Sequence, residues 1–379
     1  MANETEIKDI LLVGFGAVGA IFSLILQRSG LARVTAVARS NFDAVNEHGL
    51  HFKSGKYGEV KGWKPYRLVR SVSEATDCPY SYVFVTTKAV PEVLSTSTML
   101  KPLLSSPYAD TYAQPTYFLL QNGLNVEVDL YQALKGLGKG EPRIVSTALW
   151  IGTNLVEANV VEHGHFDRVT LGMYRYNDFT TKVNTPDEAA IAEDVGGILR
   201  AGGSTITIVP DIHRMKYTKN FWNVAFSTYT TLSGYTVPAF FRQPPSDPSV
   251  SYSPYVAPIT ANLISEYTLP AIRSTLRELV LLARSIGYTD TEDGVPSSIV
   301  DRLIADVREL HITPESSHKP SMLLDVEKGQ PIEVEVILGE VVRMARERGI
   351  EVPRIETLYA LLLVVQNQIL RKISENSDK

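Results

Sequence analysis

A glycine-rich turn near the start of the chain constrains the fold more than any other feature of the sequence. The apolar run Ile10–Val13 leads directly into Gly14-Phe15-Gly16-Ala17-Val18-Gly19. In a dinucleotide site with this spacing, the first glycine permits a tight turn, the second lets a pyrophosphate approach the backbone, and the third lets helix and strand pack closely. The helix that follows adds unpaired N–H groups and a positive dipole end. The motif predicts a dinucleotide-binding turn; the alternative is a strand–helix turn that binds nothing.

The residues after the second predicted strand discriminate between two dinucleotides. An acidic side chain there would bind the ribose 2′-hydroxyl of NAD, whereas this sequence reads Ala38-Arg39-Ser40-Asn41. A guanidinium beside a hydroxyl suits a 2′-phosphate, so we predict NADP(H), with Arg39 and Ser40 as ligands. The alternative is a solvated surface arginine. A role for Asp43, the nearest acid, would weaken the prediction.

The N-terminal half alternates short apolar runs with amphipathic stretches. This alternation predicts a parallel sheet covered by helices on both faces, an α/β fold of the Rossmann type. The predicted strands are Ile10–Val13, Arg33–Val37, Tyr82–Thr86, Thr116–Leu120 and Arg143–Leu149. The predicted helices are Ala17–Gly30, a stretch from Asn41, Pro91–Leu100 and Val126–Leu134. After Trp150 we expect a few strands appended at the sheet edge, Asn159–Val161, Arg168–Gly172 and Thr205–Val209, around a helix near Asp187–Arg200.

From about Asp211 onward, apolar residues recur at steps of three and four, which is the helical period. We therefore predict a Rossmann-type domain with appended strands over residues 1–210 and an all-α domain over residues 211–379. The helices predicted for the second domain are Arg214–Ser233, Thr260–Ile286, Ser297–Leu310, Glu333–Arg348 and Arg354–Ile373. Within it, Pro238–Pro258 contains six prolines, so we expect an extended surface insertion there.

Charge and cysteine content exclude several classes of protein. The chain carries 37 Lys and Arg against 42 Asp and Glu, so it lacks the basic field that gathers phosphate backbones, and we expect no nucleic-acid partner. Cys78 is the only cysteine, which excludes an internal disulfide framework and favours a cytoplasmic location. The uncharged run Ile10–Leu26 contains the glycine motif and lacks the flanks of a targeting signal, so we expect no membrane segment. His163 and His165 have no third ligand nearby, so we predict no metal.

Three polar residues stand at four-residue steps in the predicted helix over 214–233: Lys219, Asn223 and Ser227. Four steps of about 100° advance only about 40° around a helix, so the three side chains share one stripe. Apolar neighbours such as Phe221 and Phe226 surround it. A lysine beside an apolar wall loses solvation, and its pKa falls toward the working range of an acid catalyst. The alternative is a lysine that snorkels to water from an ordinary amphipathic face.

Five ordered motifs make the chain resemble the ketopantoate reductase (2-dehydropantoate 2-reductase) family over nearly its whole length. They are the glycine motif at 14–19, Thr87-Lys88-Ala89, Gln121-Asn122-Gly123, Lys219-x-x-x-Asn223, and Ser321-Met322-Leu323-Leu324-Asp325 with Glu333 twelve residues after Ser321. The resemblance implies NADPH-dependent reduction of ketopantoate to D-pantoate, a step toward pantothenate and coenzyme A. It implies a cofactor site that includes Gly14, Phe15, Gly16, Ala17, Val18, Gly19, Arg39, Ser40, Lys88 and Asn122.

The resemblance also implies a role for each polar residue of the second domain. Lys219 would protonate the ketone oxygen, and Asn223 would orient the substrate or the lysine. Ser321 would hold the substrate carboxylate, and Glu333 would accept a hydrogen bond from the distal hydroxyl. The implied catalytic residues are Lys219, Glu333 and Asn223, and the implied substrate-binding residues are Ser321, Asn223, Ser227, Asp325 and Glu333.

Departures from the family pattern concern the substrate more than the reaction. Ile332 stands where a threonine is usual, Leu338-Gly339 replaces an Asn-Gly, and the insertion at about 238–258 has no counterpart in compact members. Two alternatives therefore stay open: an NADP-dependent reductase of another branched or aryl 2-keto acid, and a non-catalytic NADP-binding redox sensor. A homodimer stays open as well, because the sequence does not fix the oligomeric state.

Overall fold

Residues 7–247 and 249–377 are described by the structure, a computed structural model. The chain divides after Lys216 into two compact units, residues 1–216 and residues 217–379. The division falls inside a helix, Ile212–Trp222, a little beyond the predicted boundary at residue 210.

Unit 1 is built on one mixed sheet. The strands among its described residues are β1 (Lys8–Val13), β2 (Ala32–Val37), β3 (Leu50–Ser54), β4 (Gly58–Trp63), β5 (Arg67–Val69), β6 (Tyr82–Val85), β7 (Thr116–Leu119), β8 (Ile144–Glu157), β9 (Val160–Met173) and β10 (Thr205–Ile208). They lie in the order β4-β3-β9-β8-β7-β6-β1-β2-β5, with β10 beside β9. The run from β8 to β5 is parallel throughout, whereas β9 is antiparallel to β8 and β4 is antiparallel to β3.

Helices cover this sheet and leave its central strands without access to solvent. Every residue of β6 (YVFV) and β7 (TYFL) is buried, as expected for the continuous apolar runs of a parallel sheet covered on both faces. The helices of the unit are α1 (Ala17–Arg28), α2 (Phe42–His48), α3 (Thr96–Met99), α4 (Tyr108–Thr111), α5 (Val128–Gly136), α6 (Pro186–Ala201) and α7 (Ile212–Trp222), of which α7 contains the division between the units. Single 3₁₀ turns lie at Val72–Ala75 and Lys101–Leu103.

The structure corrects the predicted elements of this unit at three places. Strands β3, β4 and β5 are absent from the sequence prediction. In β3 (LHFKS) only Leu50 and Phe52 are apolar, β4 has no buried residue, and β5 has only three residues, so none of the three shows an apolar run. The predicted helix Pro91–Leu100 is wrong over its first half: helix α3 begins at Thr96, where Ser95 accepts a hydrogen bond from the Thr98 N–H and caps it. Strands β8 and β9 form one long antiparallel ribbon instead of short appended strands.

Unit 2 is helical in all of its described regular structure. Its helices are α8 (Thr228–Ser233), α9 (Pro238–Phe241), α10 (Ala261–Leu263), α11 (Leu269–Ile286), α12 (Ile299–His311), α13 (Ser321–Glu327), α14 (Glu340–Glu347) and α15 (Pro353–Ser377). Three π-helical turns, Asn223–Ser227, Ile264–Thr268 and Glu335–Gly339, lead into α8, α11 and α14. The predicted fold class, a Rossmann-type α/β part followed by an all-α part, is confirmed.

The proline-rich insertion is mostly irregular, with one exception. Its first residues form the short helix α9, which the sequence analysis does not predict, and residues 242–247 and 249–257 contain no helix or strand. Over the two described ranges, 7–247 and 249–377, none of the helices combines the length and the apolar character that crossing a bilayer requires.

Candidate nucleotide-binding and catalytic sites

The glycine turn between β1 and α1 leaves open space at its middle position. A Cβ on Gly14, whose φ is +104°, would lie 2.7 Å from the Thr87 backbone, and a Cβ on Gly19 would lie 1.9 Å from the Gly14 carbonyl oxygen. These two glycines are required by the packing of the protein itself. A Cβ on Gly16 would meet no atom within 4 Å, although Gly16 is the N-cap of α1 and no side chain caps that helix. The open space beside an uncapped helix N-terminus fits a pyrophosphate.

A cleft of about 580 Å³ opens beside this turn, and three cationic side chains line it. Gly14 and Val13 line one end, and the cationic side chains of Arg39, Arg70 and Lys101 line the rest together with several hydroxyl groups. Among the residues that the structure describes, no aspartate or glutamate lines it. Because an adenosine phosphate brings negative charge and several hydrogen-bond acceptors, this lining suits the phosphate-bearing half of a dinucleotide.

Arg70 is a site residue that the sequence analysis missed. It directly follows β5, and its guanidinium donates hydrogen bonds to both carboxylate oxygens of Asp43, at 2.5 and 3.4 Å. The same guanidinium lies 3.9 Å from the ring centroid of Phe42. Asp43, the acid that could have favoured NAD, is therefore engaged by a cation of the cleft. A strand of three residues gave no sequence signal that Arg70 stands at the sheet edge.

The structure places the other predicted cofactor residues around the same sheet edge. Lys88 and Asn122 follow β6 and β7, which are the parallel neighbours next to β1, so both residues share the carboxyl edge of the sheet with the glycine turn. Gln121 is buried and its Nε2 donates to the Thr87 carbonyl at 3.2 Å, which joins the ends of β6 and β7.

Within the glycine turn, the predicted residues differ in what they expose. Phe15 is buried in the core, and its carbonyl accepts a hydrogen bond of 2.8 Å from Asn41 Nδ2. Ala17 and Val18 are half-buried in the first turn of α1. Ser40 is exposed and is not among the residues that line the cleft. Asn41 therefore ties the end of β2 to the glycine turn, a contact that the sequence analysis did not identify.

In unit 2, the predicted catalytic stripe lies where an α-helix changes into a π-helical turn. Lys219 is half-buried on α7, and Asn223 and Ser227 are buried at the two ends of the turn 223–227. A π turn closes i→i+5 hydrogen bonds and holds more residues than the 3.6 of an α turn. The predicted regular helix is therefore corrected to an α-helix followed by a π turn, and Asn223 and Ser227 both belong to that turn.

A buried asparagine joins two of the segments that carry predicted site residues. Asn220, 2% exposed, donates from Nδ2 to the Ile337 carbonyl at 3.0 Å, and its Oδ1 has no hydrogen-bond partner within the described part of the chain. The turn 223–227 also packs against the turn 335–339 and against α13. The segments that bear Asn223 and Ser227 and that bear Ser321 and Asp325 are thus neighbours within unit 2, and Glu333 precedes the neighbouring turn 335–339 by two residues.

The individual side chains of these segments differ in exposure. Ser321 is exposed as the first residue of α13, whereas Asp325 and Glu333 are buried, at 7% and 5% exposure. The residue before Glu333 is held at both backbone groups, because Gln366 accepts from the Ile332 N–H at 2.9 Å and donates to its carbonyl at 3.1 Å. The backbone that leads into Glu333 is therefore fixed to α15.

A second lysine of α7, which the sequence analysis did not identify, makes a buried ion pair in unit 1. The Lys216 ammonium contacts the Glu127 carboxylate and lies 3.0 Å from Ser146 Oγ. Burial alone would raise the pKa of Glu127, but Lys216, His213 and Ser146 together hold that pKa below its ordinary value. Because all the groups of this pair are satisfied within the protein, we assign it a structural role.

His163 is held by protein contacts. Its Nδ1 lies 2.8 Å from Ser54 Oγ, its Nε2 lies 3.2 Å from the Phe166 carbonyl oxygen, and its ring stacks on Tyr57. Burial lowers the pKa of this imidazole. Among the residues whose placement is described, no three His, Cys, Asp or Glu side chains are grouped so as to hold a metal ion.

Known protein families and relatives match the chain over most of its length. Residues 10–176 match the family described as ketopantoate reductase PanE/ApbA, and residues 256–366 match the C-terminal part of the same family. The uncharacterized protein YDL144C of Saccharomyces cerevisiae is 26% identical, over 95% of this chain and 94% of its own. A 2-dehydropantoate 2-reductase of Nostoc sp. is 23% identical, over 93% of each chain.

Solved structures share the fold. The crystal structure of 2-dehydropantoate 2-reductase from Methylococcus capsulatus matches with a TM-score of 0.72 and 23% identity, over 95% of this chain and 97% of that one. A D-mandelate dehydrogenase, solved with NADH and anilino(oxo)acetate, matches with a TM-score of 0.70 and 19% identity, over 95% and 99% of the two chains.

The fold, the glycine turn and these matches define the class of the protein, which is an oxidoreductase. It is built from a Rossmann-like α/β part and a helical C-terminal part, and members of this group bind NAD(P)H. Within that class, the chain belongs to the ketopantoate reductase family. The resemblance stated from the five sequence motifs is confirmed.

Proposed function

We propose that the protein is an NADPH-dependent reductase of a hydroxylated 2-keto acid, with 2-dehydropantoate (ketopantoate) as substrate and D-pantoate as product. The observation that carries the proposal is the packing of three segments of unit 2. The turn 223–227 contacts both α13 and the turn 335–339, and Asn220 is hydrogen-bonded to Ile337. These segments bear the amide, hydroxyl and carboxylate groups of Asn223, Ser321 and Asp325, while the amine of Lys219 lies just before them on α7 and Glu333 lies two residues before the turn 335–339. The reaction would supply the pantothenate and coenzyme A route.

NADPH is the proposed reductant because of the cleft in unit 1. Arg39 and Lys101 offer positive charge in the lining, and Arg70 adds a third cation that also pairs with Asp43. A 2′-phosphate would gain charge-assisted hydrogen bonds there, and a bare ribose hydroxyl would gain less. Lys88 and Asn122 are proposed to contact the cofactor at the ends of β6 and β7.

When bound, the nicotinamide supplies the hydride that reduces the ketone carbon. The protein's part is to deliver the proton: we assign this to Lys219, whose ammonium would protonate the ketone oxygen as negative charge develops, leaving a neutral amine. Asn223 and Ser227 would orient the keto acid, Ser321 would donate to its carboxylate, and Asp325 would support that end of the site. The product is a 2-hydroxy acid.

Substrate choice is proposed to depend on Glu333. A buried carboxylate that accepts a hydrogen bond from a distal hydroxyl is left without that donor when the substrate lacks it, which costs about 1–3 kcal/mol. We therefore expect kcat/KM for ketopantoate to exceed that for 2-ketoisovalerate by roughly 5- to 150-fold. NADPH oxidation by the purified protein measures both. Equal values for the two acids would remove ketopantoate as the proposed substrate.

A second substrate class has its own support. The D-mandelate dehydrogenase that shares the fold was solved with an aryl 2-keto acid derivative, and in this chain Ile332 and Leu338 are fully buried apolar residues beside Glu333 and within the turn 335–339. An aryl 2-keto acid such as phenylglyoxylate is therefore included in the substrate panel. Faster turnover of phenylglyoxylate than of ketopantoate would favour this class. Tight NADPH binding without turnover of any acid would favour the redox sensor.

A further inference from the structure

One arginine of the proline-rich insertion is fully buried although it has no acidic partner. Arg242 is 1% exposed and lies among the largest fully buried side chains. Its guanidinium donates only to backbone carbonyls: to Pro254 at 2.7 and 3.0 Å, and to Thr313, Pro314 and Ser316 at 2.9, 3.1 and 3.3 Å. Among the described residues, no carboxylate forms an ion pair with it. A buried charge without a counter-ion is costly unless hydrogen bonds satisfy it, so this arrangement is specifically built.

These hydrogen bonds link two parts of the insertion to each other and link the insertion to residues 313–316. The bonds to Pro254 hold the two ends of the irregular stretch together, and the Tyr252 ring lies 4.7 Å from the guanidinium. The bonds to residues 313–316 join that stretch to the chain between α12 and α13. A planar fork of five N–H donors can serve two loops at once, which the single ammonium of a lysine does less well.

Arg242 holds residues 313–320, and this segment runs directly into the start of α13. Within the segment, Ser316 Oγ lies 2.8 Å from Nδ1 of His311, the last residue of α12. Nearer its end, the His318 ring packs edge-on against Trp222, the residue before Asn223. The segment is thus held by the insertion on one side and by the predicted catalytic helix on the other, and its next helix begins with Ser321.

We propose that Arg242 is a positioning residue for substrate binding: it uses the proline-rich insertion to fix residues 313–320 and thereby sets the place of the Ser321 hydroxyl. The inference rests on the proposed function, in which Ser321 receives the carboxylate of the keto acid. It gives the insertion a task on the substrate side of the enzyme. Loss of the fork should loosen the segment and weaken keto acid binding, while the cofactor cleft of unit 1 keeps its lining.

The test compares Arg242→Lys with Arg284→Lys. Arg284 is the control, because its guanidinium also donates to loop carbonyls, those of Tyr288 and Thr289 at 3.1 and 3.3 Å, but it pairs with Asp290 as well and holds a different loop of unit 2. We expect Arg242→Lys to raise KM for the keto acid about tenfold, the equivalent of 1.4 kcal/mol, with little change in KM for NADPH. Arg284→Lys should change neither constant.

A second variant and a second measurement keep the test decisive. If Arg242→Lys does not fold, His318→Ala takes its place. This variant removes an exposed side chain that packs against Trp222, so it should loosen the same segment at its other side and raise KM for the keto acid. Hydrogen exchange of the amides of 315–324 is followed in the same proteins without substrate, and it should accelerate in both variants. An unchanged KM with unchanged exchange overturns the positioning role. Accelerated exchange in a protein that reduces no keto acid would instead count against the proposed function.

Discussion

Two lysines three positions apart on α7 should differ in how much stability the protein loses when each is replaced by methionine. Lys216 and Glu127 are 6% and 1% exposed, and their charged groups are in contact. Removing one partner of a buried ion pair costs about 3–5 kcal/mol, because a charge is left without compensation. Glu127 would keep the hydroxyl of Ser146 as a donor, so we expect Lys216→Met to cost about 3 kcal/mol, the lower end of that range.

The same change at Lys219 should cost less stability. Lys219 is half-buried whereas Lys216 is buried, and a charge that keeps part of its contact with water depends less on compensation by the protein. Urea denaturation of the two single variants measures the difference. The double variant Lys216→Met/Glu127→Leu is the control, because replacing both charges by apolar groups is often neutral. If Lys216→Met costs less than about 1 kcal/mol, or if Lys219→Met costs as much as Lys216→Met, the assignment of a structural and a catalytic lysine is refuted.

Three further predictions concern pH, the glycine turn and the cofactor. The folded protein holds the pKa of Glu127 below its ordinary value of 4.5. The Glu127 carboxylate therefore stabilises the fold above pH 4.5, and this contribution is lost as the pH falls below that value. The unfolding free energy should accordingly fall more steeply with acid in the wild type than in the double variant Lys216→Met/Glu127→Leu. Gly16→Ala should fold normally and bind NADPH more weakly. Gly19→Ala should fail to fold, because its Cβ would lie 1.9 Å from a backbone oxygen. Melting curves with and without NADPH distinguish the two variants. Arg70→Ala should raise KM for NADPH about as much as Arg39→Ala, and should change KM for NADH much less, in steady-state assays.

Each of these predictions has a result that would contradict it. Parallel acid titrations would mean that Glu127 does not titrate differently in the folded and unfolded chain. Unchanged NADPH binding in Gly16→Ala would mean that the open space beside α1 is not the pyrophosphate site. An equal rise of KM for NADPH and NADH in Arg70→Ala would assign Arg70 to the part that the two dinucleotides share, rather than to the 2′-phosphate.

The sequence was most informative where one face of an element must be buried. The strands at the centre of unit 1 are continuous apolar runs, so β6 and β7 were predicted to within a residue or two. The glycine spacing also predicted a turn whose first and third positions cannot carry a side chain, and the structure gives the physical reason at Gly14 and Gly19.

The features that were missed depend on contacts between distant residues. Arg70 escaped notice because β5 is three residues long and has no apolar pattern, so nothing in the sequence placed its end beside Arg39. The π turn at 223–227 has the composition of an ordinary helix, and only packing against neighbouring helices selects its hydrogen bonding. The partners of Arg242 are carbonyls 12 to 74 residues away, and carbonyls leave no trace in composition.

The central claim is that Lys219 provides the proton for reduction of a keto acid by NADPH, and turnover tests it most directly. The measurement is NADPH oxidation with ketopantoate by the wild type and by Lys219→Ala, with NADPH binding titrated in both proteins. We expect the variant to lose about 10²- to 10⁴-fold in kcat while it binds NADPH nearly as well as the wild type. A variant that turns over ketopantoate at the wild-type rate would contradict the account.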